Sequence, residues 1–171
     1  MIIKEKIGNL ASFNDEGRAI DRLPLEWYET SKRIMHKRTG SGKEIILKFL
    51  DKAPNLQQDD ILFVDNHSII VVEILPCEAI VMIPRSTYEM AYLCYEVGNK
   101  HLPLFFEENL LMIPFDEPVF KMLQALGFAI TSQKRKLLNQ LRTSVAPHAH
   151  ASEGKSLFSR ILKLTNSPAN E

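Results

Sequence analysis

Apolar residues recur along this chain at two different periods, and the change from one to the other divides it. The segments IIKEKIGNL, PLEWYETSKRIMHKRT and KEIILKFL carry alternating or β-rich apolar stretches, which predicts strands. Gly40, Ser41 and Gly42 between the last two form a hairpin turn. A second pair, DILFVD and SIIVVEIL, is split by Asn66 and His67 and reads as two short antiparallel strands. Residues 1–75 are therefore expected to be an all-β domain.

At Pro76 the pattern changes. EAIVMI is a buried strand closed by Pro84, and STYEMAYLCYEVGNK then runs at helical spacing, with Met90, Leu93, Cys94 and Val97 as its inward stripe. Ser86 or Thr87 can cap its start, Glu89 stands where a capping box places an acid, and Gly98 is the expected stop. LPLFF and LLMIPF then flank a turn at Glu107, Glu108 and Asn109. Asp116 opens the helix EPVFKMLQALG, which Gly127 ends, and FAI closes the series as a strand edge. The order β-α-β-β-α-β is the ferredoxin-like split βαβ motif, with both helices on one face of an antiparallel sheet.

The expected class is thus α+β: an all-β domain over residues 1–75, a ferredoxin-like domain over 76–143 and a tail over 144–171. In the tail, TSVAPHAHASEGKS is small and polar and predicts a mobile stretch, and SLFSRILKL places Leu157, Phe158, Ile161 and Leu162 on one side of a short helix. No internal repeat is visible, and no apolar run approaches the roughly 18 residues that a membrane span needs.

Composition changes this picture in two ways. With 21 basic and 21 acidic residues the formal net charge is zero, which argues against a non-specific nucleic-acid binder. The balance is nevertheless segregated, with eight acids against two bases from Val71 to Glu117 and seven bases against one acid from Thr131 to Lys163. Cys77 and Cys94 show no C-x-x-C spacing, and the start lacks the pattern of a secretory signal, so a reducing cytoplasm is the expected compartment.

Candidate chemistry centres on histidine. His101 lies three residues after Gly98, where a helix ends and a strand begins. Helix C-termini carry partial negative charge that favours a bound cation, and imidazole suits nickel, copper, zinc and iron. His148 and His150 form an H-x-H pair, whose two-residue period puts both rings on one side of an extended chain. His36, among Lys32, Arg33, Lys37 and Arg38, and His67, in a turn, read as surface residues. Cys94 falls on the inward helix stripe and reads as a small core hydrophobe; neither cysteine has a neighbouring base in sequence. TGSGKE fails as a phosphate-binding loop because Lys37 and Glu44 stand where that pattern needs glycine and a hydroxyl residue. No nucleophile elbow, H-E-x-x-H motif or acid–base pair is present, so no catalytic apparatus is expected.

The words KRIMHKRTGSGKEI, DILF, MAYLCYEVGNKHLPLF and RKLLNQLRTSVAPHAH, in this order across most of residues 1–150, resemble the UreE family of urease accessory proteins. The resemblance implies an N-terminal β domain that binds partner proteins and a ferredoxin-like metal domain that dimerises. It implies a nickel metallochaperone rather than an enzyme, whose partners are the urease maturation GTPase UreG and the urease apoprotein; the charge balance and the lack of a long apolar run already argue for no nucleic acid and no membrane among the partners. The histidine of the family's GN-[RK]-H motif, which binds nickel, is here His101, and the family's C-terminal histidines correspond to His148 and His150. Many relatives end in a long histidine-rich run, whereas this chain ends in SLFSRILKLTNSPANE. One histidine makes a poor site, but a homodimer's two-fold axis supplies the same residue twice. Zinc and copper suit the same nitrogens, so nickel follows from the resemblance alone. The alternative reading is an assembly factor that works through its β domain without a functional metal site.

Overall fold

A computed structural model describes residues 1–141; the H-x-H pair and the predicted tail helix lie outside the described residues. The N-terminal part holds seven strands: β1 (Ile2–Ile3), β2 (Gly8–Asn9), β3 (Ala19–Leu25), β4 (Ile34–Arg38), β5 (Glu44–Lys48), β6 (Asp60–Val64) and β7 (Ser68–Ile74). They form a three-stranded sheet in the order β1-β5-β4 and a four-stranded sheet in the order β2-β6-β7-β3. The inner residues of the two sheets, among them Leu23, Leu25, Ile45, Leu47, Ile70 and Val72, share one core. The outer face of the four-stranded sheet is covered as well, since Leu10 and Phe13 pack on Ile61, Ile69 and Val71.

Both predicted hairpins form, β4 with β5 and β6 with β7, each antiparallel. The strand expected to run through PLEWYETSKRIMHKRT is instead two strands separated by a 3-10 turn at Trp27–Glu29, and the first of them begins earlier, at Ala19. Pro24 obscures β3 in the sequence. It is tolerated because β3 is the edge of its sheet, where a missing N–H breaks no ladder.

The C-terminal part is β8 (Cys77–Met82), α1 (Thr87–Asn99), β9 (Leu104–Glu107), β10 (Leu110–Pro114), α2 (Glu117–Ala125), β11 (Ile130–Arg135) and β12 (Gln140–Leu141). The sheet order β11-β8-β10-β9-β12, with every neighbour antiparallel, is the ferredoxin-like arrangement extended by one short strand. Glu107 belongs to β9, which leaves Glu108 and Asn109 as the turn, and the segment expected as a three-residue strand edge is the six-residue β11. Alternation along β8 sends Ile80 and Met82 toward the helices and Ala79 and Val81 toward the other face. That second face is closed by Leu137 and by Trp27 of the N-terminal part, whose ring meets Phe105 edge-on at 5.5 Å between centroids.

Helix α1 starts as expected, with the Ser86 hydroxyl accepting from the Glu89 N–H at 3.2 Å. The Glu89 carboxylate reaches past the cap to the Arg85 N–H rather than closing a box. Its end differs from expectation. The helix continues through Gly98, and the residue that turns the chain out is His101, at φ 54°. Its N–H donates to the Gly98 carbonyl at 3.0 Å, and the Leu102 N–H donates to the Val97 carbonyl at 3.2 Å. This is the Schellman pattern. Helix α2 ends in the same way with Gly127 at φ 79°, donating to Gln124 at 3.0 Å while Phe128 donates to Leu123 at 3.3 Å. One helix thus uses glycine at the left-handed position and the other uses histidine, although an L side chain there costs on the order of 1 kcal/mol.

Two predictions follow from these local arrangements. His101→Gly is expected to raise the unfolding free energy by about 0.5–1 kcal/mol, and Gly127→Ala to lower it by about 1 kcal/mol or more, both read from urea denaturation. The second concerns acid. Burial alone would raise the Asp21 carboxyl, but the Ser41 hydroxyl and N–H, Thr39 and Lys43 hold it below the ordinary carboxylate range. Burial likewise opposes Glu29, which Lys37 and the Glu26 N–H hold low. Depressed folded values give stability that is present above the unfolded pKa of about 4 and is lost as pH falls through the folded values. Urea midpoints measured across that range should therefore drop, and Asp21→Asn should flatten the drop.

Candidate metal centre

His101 is exposed, and its imidazole has no hydrogen-bond partner among the described residues. The fold fixes its backbone tightly all the same. Leu102 packs into the cluster formed by Leu93, Val97, Leu104, Leu111 and Leu123, so the chain is anchored directly on both sides of the turn. The result is a free imidazole on a rigid stem at the negative end of a helix, a suitable presentation for a cation.

The other sequence-singled residues do not join it. His36 is exposed on β4 and His67 is exposed in the β6–β7 turn, both in the N-terminal domain. His148 and His150 lie outside the described residues. Among the described residues no three or more histidine, cysteine or acidic side chains are grouped so as to hold a metal ion. Within the described residues of one chain His101 stands alone, and a stable site needs ligands from elsewhere.

The acidic stretch seen in the sequence contributes less field than its composition suggests. The basic stretch folds back upon it: Arg135 meets Glu107 at 2.6 Å and Lys136 meets Glu73 at 3.4 Å. Glu89 is held by Arg85 and Glu117 by Lys121. Glu96, in the last turns of α1, keeps a carboxylate without an ion pair among the described residues. The two thiols offer no nucleophile. Burial pushes both upward, and Glu26 and Glu78 add to the effect at Cys77.

A feature not singled out from sequence lies on the outward side of α1. Tyr88, Ala91, Tyr92 and Tyr95 follow the spacing i, i+3, i+4, i+7 and form a second apolar stripe opposite the buried one. Tyr88 and Tyr95 are 76% and 67% exposed, and so stand uncovered in one chain. Tyr92 lies against Phe128 at 5.4 Å. The aromatic spacing was available in the sequence, but the buried stripe on the same helix already accounted for an apolar pattern. The stripe runs toward the end of the helix where His101 stands.

Comparison with known proteins agrees along the whole described length. The model of the UreE urease accessory protein N-terminal domain matches residues 3–75, and that of the UreE C-terminal domain matches residues 76–156. The urease accessory protein UreE of Flavobacterium johnsoniae is 43% identical over 164 residues, spanning 96% of this chain and 99% of the relative. Those of Haemophilus influenzae and Helicobacter pylori are 40% and 37% identical, covering 85% and 93% of this chain and 80% and 96% of their own lengths. With both domain models matched in order and relatives of this identity aligned nearly end to end, the chain belongs to the UreE family of urease accessory proteins.

Proposed function

We propose that this chain is a nickel metallochaperone: a homodimer that holds Ni2+ between the His101 imidazoles of its two copies and delivers it for assembly of the urease active site. The observation that carries the reading is His101 itself, an exposed imidazole kept at a left-handed helix stop where glycine would be more stable. The α1 stripe supports the dimer, because uncovered tyrosines of this exposure are the kind of aromatic surface that subunit contacts bury. Placing two such stripes together about a two-fold axis near the helix ends brings two imidazoles to one ion.

In this reading residues 76–143 form the metal-binding and dimerisation domain, residues 1–75 bind partner proteins, and the tail over 144–171 supplies His148 and His150 as further ligands. The partners are the maturation GTPase UreG and the urease apoprotein, in the cytoplasm. Nickel is cargo here, and no reaction is catalysed. Zinc and copper compete for the same nitrogens, copper intrinsically more strongly. An exposed, shared site favours transfer, since an enclosing cage within one chain would have to open before the ion could leave.

Binding tests the reading directly. Calorimetry should find about one Ni2+ per dimer, lost in both His101→Ala and His101→Gly, while truncation after Ala146 weakens binding without abolishing it. Affinity should fall steeply between about pH 7.5 and 5.5, because imidazole binds metal only when unprotonated, whereas carboxylate ligands would keep their affinity across that window. Failure of equilibrium dialysis to detect nickel on the intact chain would favour an assembly factor without a metal site. Tyr95→Glu is expected to give a folded monomer by sedimentation velocity, and an unchanged dimer would move the interface away from α1.

A further inference from the structure

A histidine that binds metal through one ring nitrogen ordinarily donates from the other, to a carboxylate, a backbone carbonyl or water, and that second contact fixes the tautomer and the turn of the ring. The backbone of His101 is held by the Schellman turn, but its imidazole makes no hydrogen bond among the described residues. The stem is fixed and the ring is not.

One carboxylate is placed to supply the missing contact. Glu96 is partly buried in the last turns of α1 and is the sole acidic side chain between Tyr92 and Phe106. Five residues of helix separate its Cα from that of His101 by roughly 9 Å, within the combined reach of a glutamate and an imidazole. The carboxylate is also left free. Lys100 follows Glu96 at i+4, the spacing and order that favour an ion pair on a helix. No pair forms there, although Arg85–Glu89 and Glu117–Lys121 close at 2.7 and 2.6 Å across the same spacing. The other acids of the domain are committed or distant: Glu107 meets Arg135, Asp116 caps α2, and Glu108 stands at the far end of β9 from His101.

We infer that Glu96 is the positioning residue for His101: at the shared site its carboxylate accepts the imidazole N–H that faces away from the ion, and so turns the ring toward the metal. The inference rests on the reading of His101 as a nickel ligand. A two-fold axis near the helix ends sets a pair of these carboxylates beside the pair of imidazoles, which offsets the charge of the ion without any oxygen binding it.

The test uses the full chain with isotope-labelled histidine and Zn2+, a diamagnetic probe for the same nitrogens. The zinc-loaded chain should show a far-downfield imidazole N–H proton that disappears in both His101→Ala and Glu96→Ala. Calorimetry should find nickel affinity lower by about tenfold or more in Glu96→Ala, and by less in Glu96→Gln, whose amide oxygen still accepts. Glu117→Gln, the same change of charge on α2, should leave affinity within about twofold. Urea midpoints of the Glu96 variants should stay near that of the parent chain, so that lost binding is not lost fold. Full nickel affinity in Glu96→Ala, or a zinc-loaded parent chain without the downfield proton, overturns this role and leaves His101 standing as a ligand. Weakened nickel binding with that proton retained would make Glu96 a ligand itself and also overturn it. Absence of nickel binding by the parent chain overturns both readings.

Discussion

Burial of the ferredoxin-like sheet on both faces is the constraint from which the rest of the C-terminal domain takes its shape. Strand β8 shows why: with Ile80 and Met82 on one side and Ala79 and Val81 on the other, neither face can be left to water. One face is closed by α1 and α2, the other by Leu137 and the Trp27–Phe105 contact. Because the helices are committed to one face by the core beneath them, α1 turns its remaining stripe outward and its C-terminal end is fixed relative to the sheet. His101 therefore takes its position from the packing of Val97 and its neighbour Leu102.

The two helix stops make an internal comparison that composition effects cannot confuse. Both have the same hydrogen-bond pattern, the same domain core beneath them and an apolar residue following the turn, and they differ in the side chain at the left-handed position. Glycine is the residue that local energetics favours there, and α2 has it. α1 carries histidine there instead, at φ 54°. Histidine is also among the few side chains that tolerate this backbone region at moderate cost, so under the proposed reading one residue can serve as both stop and ligand.

Much of this was legible in the sequence, because alternation and helical spacing report directly on which face is buried. Both hairpins, the β-α-β-β-α-β order and the inward stripe of α1 follow from that signal alone. The misreadings have physical causes. Gly98 has the look of a stop because glycine usually is one, but it lies within the last helical turn, and the chain leaves the helix three residues later at His101, with Leu102 anchored in the core behind it. Pro24 masked β3, whose edge position made the proline harmless. β11 was shortened because four of its six residues are exposed and polar, as an edge strand permits. The charge segregation was visible but its meaning was not, since only the fold shows Arg135 and Lys136 returning to Glu107 and Glu73. For the candidate site, the sequence supplied His101 and the resemblance supplied its role; the outward tyrosine stripe needed the fold.

A shared site carries a thermodynamic consequence that a single-chain site lacks. If two copies contribute one imidazole each, the ion binds the dimer and not the separated chains, so nickel must tighten dimerisation by the same factor by which dimerisation tightens nickel. The tyrosine stripe then becomes part of the metal affinity although none of its atoms touches the ion. Any partner that competes for the exposed face of α1, or shifts one copy against the other, lowers that affinity without protonating a ligand. The left-handed turn adds to this, because a rigid stem cannot follow a displaced ion: a movement of about 1 Å between the copies strains both bonds at once. Release on contact with a partner is thus an expected property of a rigid, half-site ligand, and a flexible loop histidine in the same sequence position would not confer it.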